Sequence, residues 1–337
     1  MSERSVLYDV PGPRARRTTL IVSILVFLGL AAAAYVVVYL PLAERGQFTM
    51  DKWGPLVDPT NEYFPQVWRR LGQGLLATLQ AAALAVLASL VFGTLLAVLR
   101  MQLRALTRRR FTGLAAPLAL LLRALAWFIN LVTRFCVEVF RGTPVVITIF
   151  FVWRGFPALG LDFGATMWDL VVGLTIYNMV VIAEILRSGM QGLPTGQQEA
   201  ASALGLSSFQ TTRTILLPQA FRIMLPALIS QLVVVLKDTS LGYIIGYQEV
   251  LSVGRQLARA PQLTNLLQMF FLVGVIYILA NYVLSRTAQY VERRVARGRT
   301  TAALGRAARP AATTDLIPQG PADLGGDERP APAQPAR

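Results

Sequence analysis

The feature that most limits what this chain can fold into is a series of apolar runs of bilayer length, separated by polar intervals in which arginines cluster. A bilayer core is about 30 Å thick and asks for roughly 20 apolar residues in a helix. Leu20 to Leu40 is such a run, and others extend from about Leu71 to Leu99, Ala124 to Trp153, Met167 to Leu186, Phe221 to Leu236 and Leu266 to Leu284. In hydrocarbon every backbone N–H and C=O has to be satisfied by the chain itself, so runs of this kind fold as helices. Composition agrees: of 337 residues, 54% are of hydrophobic type and 15% are charged, with a mean hydropathy of +0.52. The expectation is an all-α integral membrane protein with about six transmembrane helices.

The formal charge of +14 would suit a nucleic-acid partner if it covered one soluble face. It falls instead in lumps beside the apolar runs: Arg14, Arg16 and Arg17; Arg100, Arg104, Arg108, Arg109 and Arg110; Arg286, Arg293, Arg294, Arg297 and Arg299. Positive residues near span ends mark the cytoplasmic side and meet anionic headgroups. The pattern predicts membrane lipid and no nucleic acid as a partner, a multi-pass chain, and both termini in the cytoplasm. Residues 1–19 form a basic cytoplasmic segment. The run over 20–40 is longer than a signal-peptide core, so it reads as an extra first transmembrane helix. Residues 41–70 balance Glu44, Asp51, Asp58 and Glu62 against Arg45, Lys52, Arg69 and Arg70, and carry Trp53, Tyr63, Phe64 and Trp68; this suits an outer loop with interfacial aromatics. Residues 100–123 hold six arginines and no acid, the mark of a cytoplasmic loop. From 296 to 337 the chain turns Pro-, Ala- and Gly-rich, and a disordered cytoplasmic tail is expected. The single cysteine, Cys136, excludes an intramolecular disulfide, and the lack of histidine removes histidine catalysis and histidine metal ligation. No metal and no cofactor are expected.

The third run carries Arg134, Glu138, Arg141 and Pro144. Arg134 and Glu138 are four apart and Glu138 and Arg141 three apart, so these charges can share a helical face and pair, while Pro144 interrupts the helix. Charges at membrane depth usually face protein or a water-filled path; a simpler alternative is pairing near the inner interface.

Between the fourth and fifth runs lies a folded-looking polar interval, Ala183 to Ala220. Thr195 with Gln198, and Ser207 with Gln210, have capping-box spacing and predict two short helices. The first runs from about Gly196 to Leu204 and stops at Gly205. The second starts near Ser208 and ends before Pro218. The result is a helix, turn, helix elbow at a membrane surface, although an ordinary loop with two amphipathic turns satisfies the same spacing.

Within this elbow, Glu199, Ala200 and Ala201, then Gly205, then Ile215, Leu216, Leu217 and Pro218 stand at the spacing of a known motif. It resembles the EAA loop of permease subunits of ATP-binding-cassette importers. EVFRGTP from Glu138, AEILRSGMQGLPTGQQEAA from Ala183 and KDTSL from Lys237 resemble segments of the polar amino-acid branch, which serves histidine, glutamine, glutamate and arginine. The resemblance covers about residues 66–295, and its weakest step points to a glutamate-type system.

This likeness implies a type I importer permease fold in a bacterial cytoplasmic membrane, with a core permease domain over 71–295 and the coupling loop over 187–218. It implies that the elbow docks on a homodimer of separate ATPase subunits through Glu199, Ala200, Ala201, Ala203, Leu204, Gly205, Ile215, Leu217 and Pro218. Ala200, Ala203 and Leu204 would offer an apolar face; Glu199 would cap, pair or brace. It implies a second permease subunit, the same chain or a related one, and an extracytoplasmic amino-acid-binding protein. For the substrate path the candidates are Glu138, Arg141, Thr143, Tyr177, Asn178 and Glu184, with helix-pair and headgroup contacts as alternatives for the charged ones. No Walker sequence is present, and neither lysine, Lys52 or Lys237, lies in a glycine-rich loop, so the energy source is expected on a partner. A secondary carrier or channel, a membrane enzyme and a membrane scaffold are the rival readings.

Overall fold

A computed structural model describes residues 12–108, 116–263 and 265–307; the tail beyond 307 and the arginines at 109 and 110 lie outside the described residues. The chain divides into a unit ending at Arg293 and a second one from Arg294. In the second, residues 294–307 are helical. In chain order the helices are α1 (Pro13–Glu44), α2 (Met50–Val57), α3 (Phe64–Arg108), α4 (Ala116–Gly142), α5 (Val145–Ala158), α6 (Thr166–Gln191), α7 (Thr195–Ala203), α8 (residues 208–223), α9 (Leu225–Ile245), α10 (Val250–Ala258) and α11 (Leu266–Ala307). Among the described residues, six of them (α1, α3, α4, α6, α9 and α11) are long and apolar enough to cross a membrane.

The centre of the first unit is the packing of α3 on α6. Along α3 the inward positions are Leu71, Gly74, Thr78, Ala81, Ala85, Ser89, Gly93, Ala97 and Arg100, spaced three or four apart. Most are small, and that is what membrane helices require. Lipid is as apolar as leucine, so association depends on backbones coming close enough for van der Waals contact. At Gly93 a Cβ would stand 2.8 Å from Ile182 Cγ2 and 2.9 Å from the Met179 carbonyl oxygen. Against this stripe α6 buries Leu170, Leu174, Ile182, Ala183 and Leu186. Asn178, also fully buried, donates from Nδ2 to the Leu174 carbonyl and accepts from Gln231 Nε2 at 2.7 Å, tying α6 to α9.

The third apolar run is interrupted at Pro144, as the proline predicts. Thr143 donates from both its backbone N–H and its hydroxyl to the Val139 carbonyl, Pro144 is extended (φ −59°, ψ 137°), and a separate helix α5 begins at Val145. The arginine-rich stretch 100–123 is not all loop, because α3 continues through Arg108 and α4 begins at Ala116. Arginine is a good helix former and keeps its charge in the headgroup region on a long stem, so charge density there does not end a helix. Pro226 lies in the first turn of α9, where a missing N–H costs nothing, and not within a span beginning at Phe221. Within 41–70 the chain forms α2 and the start of α3, joined by a turn. There Asp58 Oδ1 accepts from the Thr60 N–H and hydroxyl, which hold its carboxyl below the usual carboxylate range. The first apolar run, α1, has none of its most apolar stretch buried in the chain.

The segment after α9 turns at Gly246 (φ +84°) and leads into α10, which packs between α3 and α11: Gly74 faces the Val250 backbone and Gly254 faces Val273. Gly93→Val is expected to lower stability in detergent by about 1–3 kcal/mol through overpacking against α6. Gly72→Ala, where a Cβ meets nothing within 4 Å, is expected to be neutral or up to about 1 kcal/mol stabilising through helix propensity. Thermal unfolding of the purified chain checks both.

Candidate functional site

The first of the elbow's two stops is built as the sequence predicts. α7 ends with Leu204 as C-cap and Gly205 in the left-handed region (φ +76°). The Gly205 N–H donates to the Ser202 carbonyl and the Leu206 N–H to the Ala201 carbonyl, both at 3.0 Å. This paired closure needs a residue without a Cβ penalty at Gly205. The Ser207 capping box is complete: Gln210 N–H donates to Ser207 Oγ at 3.3 Å, and Ser207 N–H donates to Gln210 Oε1 at 2.8 Å.

Two elbow expectations fail for identifiable reasons. Thr195 is not a cap: it is the first helical residue, and Pro194 before it holds the N-cap position without a side-chain bond. Nor does α8 end at Leu217. A π-helical turn over Thr212–Leu216 shifts the bonding by one residue just ahead of Pro218, and the helix continues to Ile223. Such a turn absorbs a residue that cannot donate.

The two limbs are held by the side chains of Gln197 and Gln219, each amide donating to the other's oxygen at 3.1 and 2.8 Å. The base of the elbow is rooted in a core of Ala97, Ile182, Leu186, Met190, Leu216 and Ala220, and Ala201 is buried beneath α7. Gln102 of α3 donates to Thr212 Oγ1 at 3.0 Å. Away from the base the surface is open. Leu204 is 81% exposed; Glu199, Ala200, Ala203, Gly205 and Pro218 are exposed too, and Ile215 and Leu217 are half-buried. Glu199 forms no side-chain hydrogen bond or ion pair with the described residues, so the small apolar knob and its carboxylate have no partner within them.

Beside the elbow's root, Glu184 joins two arginines. Arg100 donates to Glu184 Oε2 at 2.6 Å, Arg187 Nε donates to the same oxygen at 2.9 Å, and Arg187 also bonds Glu184 Oε1 and Gln191. The Arg100 side chain is 7% exposed and that of Glu184 21%. Sequence reasoning took Arg100 as a topology marker and missed this role. The signal was available, since the inward stripe of α3 continues from Gly93 and Ala97 to Arg100.

Of the other path candidates, Arg141 and Glu184 line one cavity of about 390 Å³ together with Ser188 and Met224. Glu138 is exposed on α4, and no ion pair joins it to Arg134 or Arg141 among the described residues, so the expected pairing on that helix does not form. Thr143 caps its own helix end, Tyr177 is half-buried, and Asn178 is committed to the α6–α9 tie. A residue missed altogether is Glu249. Fully buried, it caps α10 by accepting from the Leu251 and Ser252 N–H groups, and it also accepts from the Tyr277 hydroxyl at 2.6 Å. No group of three or more Cys, Asp or Glu residues able to hold a metal occurs among the described residues.

Residues 113–297 match the family of binding-protein-dependent transport system inner membrane components. That is more than half of the sequence. The chain belongs to this family. The inner membrane component described here is therefore a multi-pass transport protein and not an enzyme. It is 41% identical over 265 residues to the glutamate transport system permease protein GluD of Corynebacterium glutamicum, covering 77% of this chain and 85% of that one. It is 31% identical over 225 residues to the probable glutamine ABC transporter permease protein GlnP of Bacillus subtilis, covering 66% and 93%. Its fold is similar to that of a solved amino acid ABC transporter crystallised with histidines (TM-score 0.54, 24% identity, 70% of this chain and 99% of that one).

For this inner membrane component, the double variant Arg100→Gln with Glu184→Gln is expected to be more stable than the sum of the single losses by about 1–3 kcal/mol. Denaturant or thermal unfolding in detergent measures the cycle. Additive losses would show that the two charges do not interact.

Proposed function

We propose that this chain is the permease subunit of an ATP-binding-cassette importer for a polar amino acid, glutamate or a close relative, in a bacterial cytoplasmic membrane. The observation that carries the reading is the elbow: a braced helix pair that leaves Leu204, Ala200, Ala203 and Glu199 exposed and without partners among the described residues, on a chain 41% identical to a glutamate permease. In this reading the knob docks on a homodimer of ATPase subunits, the arginine-rich ends of the spans and both termini face the cytoplasm, and a second permease, the same chain or a related one, completes the path. A binding protein delivers the amino acid at the opposite face, where α2 and the start of α3 lie.

The geometry suggests how force would pass. A push on Leu204 reaches α8 through the Gln197–Gln219 pair, and reaches α3 and α6 through Gln102–Thr212 and the buried core at the elbow's root. The path candidates Arg141 and Glu184 line one cavity with Ser188 and Met224. Arg141 would meet a carboxylate, and Thr143, Tyr177 and Glu138 would add polar contacts as the spans shift.

The test is reconstitution with the ATPase, binding protein and any second permease encoded beside this gene, followed by uptake of L-[14C]glutamate with and without ATP. Uptake that persists without the ATPase would mark a secondary carrier and overturn the reading. Leu204→Asp is expected to change the stability of the isolated chain by less than about 0.5 kcal/mol, since the site is exposed, while lowering co-purification with the ATPase and ATP-driven uptake at least tenfold. Gly205→Val, which places a β-branched residue in the left-handed region, is expected to cost about 1–2 kcal/mol and reduce uptake by misdirecting the knob. Wild-type uptake by Leu204→Asp would remove the elbow from the coupling route.

A further inference from the structure

A second group of charges lies on the α9–α10–α11 side. Lys237, Arg255 and Arg259 take part in no ion pair among the described residues. Two adjoining cavities, of about 460 and 530 Å³, share Leu251 and Phe270 as a common wall. Arg255, Arg259 and Tyr243 line the first; Lys237, Ser240 and Asn281 line the second. Together they make a groove with cations along its length and amide, hydroxyl and aromatic groups between them. None of these residues belongs to the elbow, to the Glu184 cluster or to the path suggested by the sequence.

The local sequence explains how the arginines come to point into the groove. Leu251 and Arg255 are four apart on one face of α10 and Arg259 follows as its C-cap, all three lining the first cavity, while Val250, Val253 and Leu257 on the other face are buried against α3 and α11. The helix is fixed from three sides. Glu249 caps it and binds Tyr277, Gly74 lets it lie against α3, and Gly254 lets it lie against α11. The Arg255 guanidinium stacks over the Tyr243 ring at 4.7 Å, leaving its edge free to donate.

None of the three cations is neutralised by a carboxylate among the described residues: Lys237 and Arg259 are exposed, and Arg255 is half-buried in the last turn of α10. Asp238 follows Lys237 without pairing with it, and the Glu249 oxygens are taken by N–H groups and a hydroxyl. The planar guanidinium edge matches a carboxylate. Cavities of this size suit a small molecule.

We infer that Arg255 and Arg259, with Lys237 as the third cation on the same wall, form a carboxylate-binding groove that takes an acidic amino acid through the membrane. The inference rests on the importer reading above and adds the residues that read the substrate's carboxylates. The carboxylates pair with Arg259 and Arg255 in turn, and Tyr243 holds Arg255 in position.

The test uses the reconstituted transporter with its binding protein and ATPase, in vesicles of phosphatidylcholine alone and in vesicles with added phosphatidylglycerol. Uptake of L-[14C]glutamate is measured beside ATP hydrolysis without substrate. Arg255→Gln and Arg259→Gln are each expected to slow uptake about tenfold or more in both vesicle types, the size expected for losing a charged hydrogen bond. Arg255→Lys, which keeps the charge but not the planar edge or the stacking, is expected to recover only part of the rate, and substrate-free hydrolysis is expected to stay within twofold throughout. Undiminished uptake by the double variant overturns the inference. A loss confined to vesicles with phosphatidylglycerol also overturns it, by making the anion a lipid headgroup. A parallel loss of substrate-free hydrolysis overturns it by making the arginines structural. A wild-type complex that shows no ATP-driven glutamate uptake, yet carries another amino acid, overturns the glutamate reading itself and is distinguishable from all of these.

Discussion

The close approach of α3 and α6 is the contact on which the rest of the molecule depends. Water drives apolar helices together in a soluble protein, but within lipid that drive is absent and fit has to replace it. Ala81, Ala85, Gly93 and Ala97 supply the fit by presenting almost no side chain. Because the two backbones are fixed this closely, the ends of the pair are fixed as well. One end carries Arg100 and Glu184 and the root of the elbow; the other gives Thr78 and Ala77 as partners for the start of α10 and for Tyr247. The elbow and the cationic groove are thus mounted on one rigid pair, although they lie on opposite sides of the functional argument.

Burial separates the helices into two kinds. In α6, 61% of the most apolar stretch is inside the structure; in α1 none of it is, and in α4 only 11%. The helices with little internal contact leave their apolar faces to lipid or to other chains. The helix with most contact, α6, holds a polar group the membrane would otherwise penalise: Asn178 is fully buried and bonded through both its amide nitrogen and its oxygen.

The helical class and the elbow were legible in the sequence because each is encoded by neighbours in the chain. Apolar length alone specifies a spanning helix, and Ser207, Gln210 and Gly205 act on backbone groups within a few residues. What was not legible depends on distant partners or on bonding registers that the sequence does not announce. The π-helical turn before Pro218 is one case: proline normally ends a helix, and only a shifted register lets it continue. Glu138 is another. It has two arginines at pairing distance in sequence and, among the described residues, pairs with neither, because a shared helical face permits contact without compelling it. The Glu184 cluster shows the converse. Its partner Arg100 is 84 residues away, and only the continuation of the small-residue stripe of α3 points to it.

The brace between Gln197 and Gln219 differs in kind from the contacts around it. Both partners are neutral amides, and the stops at Ser207 and Gly205 are uncharged as well. Salt weakens exposed charge pairs over a Debye length of about 8 Å at physiological ionic strength, but it leaves bonds between neutral groups nearly untouched. The angle between the two limbs is therefore insulated from the ionic composition of the medium around it. Ionic strength is left to act on whatever meets Glu199 and the surrounding arginines, so the shape of the elbow and the strength of its docking respond to different variables.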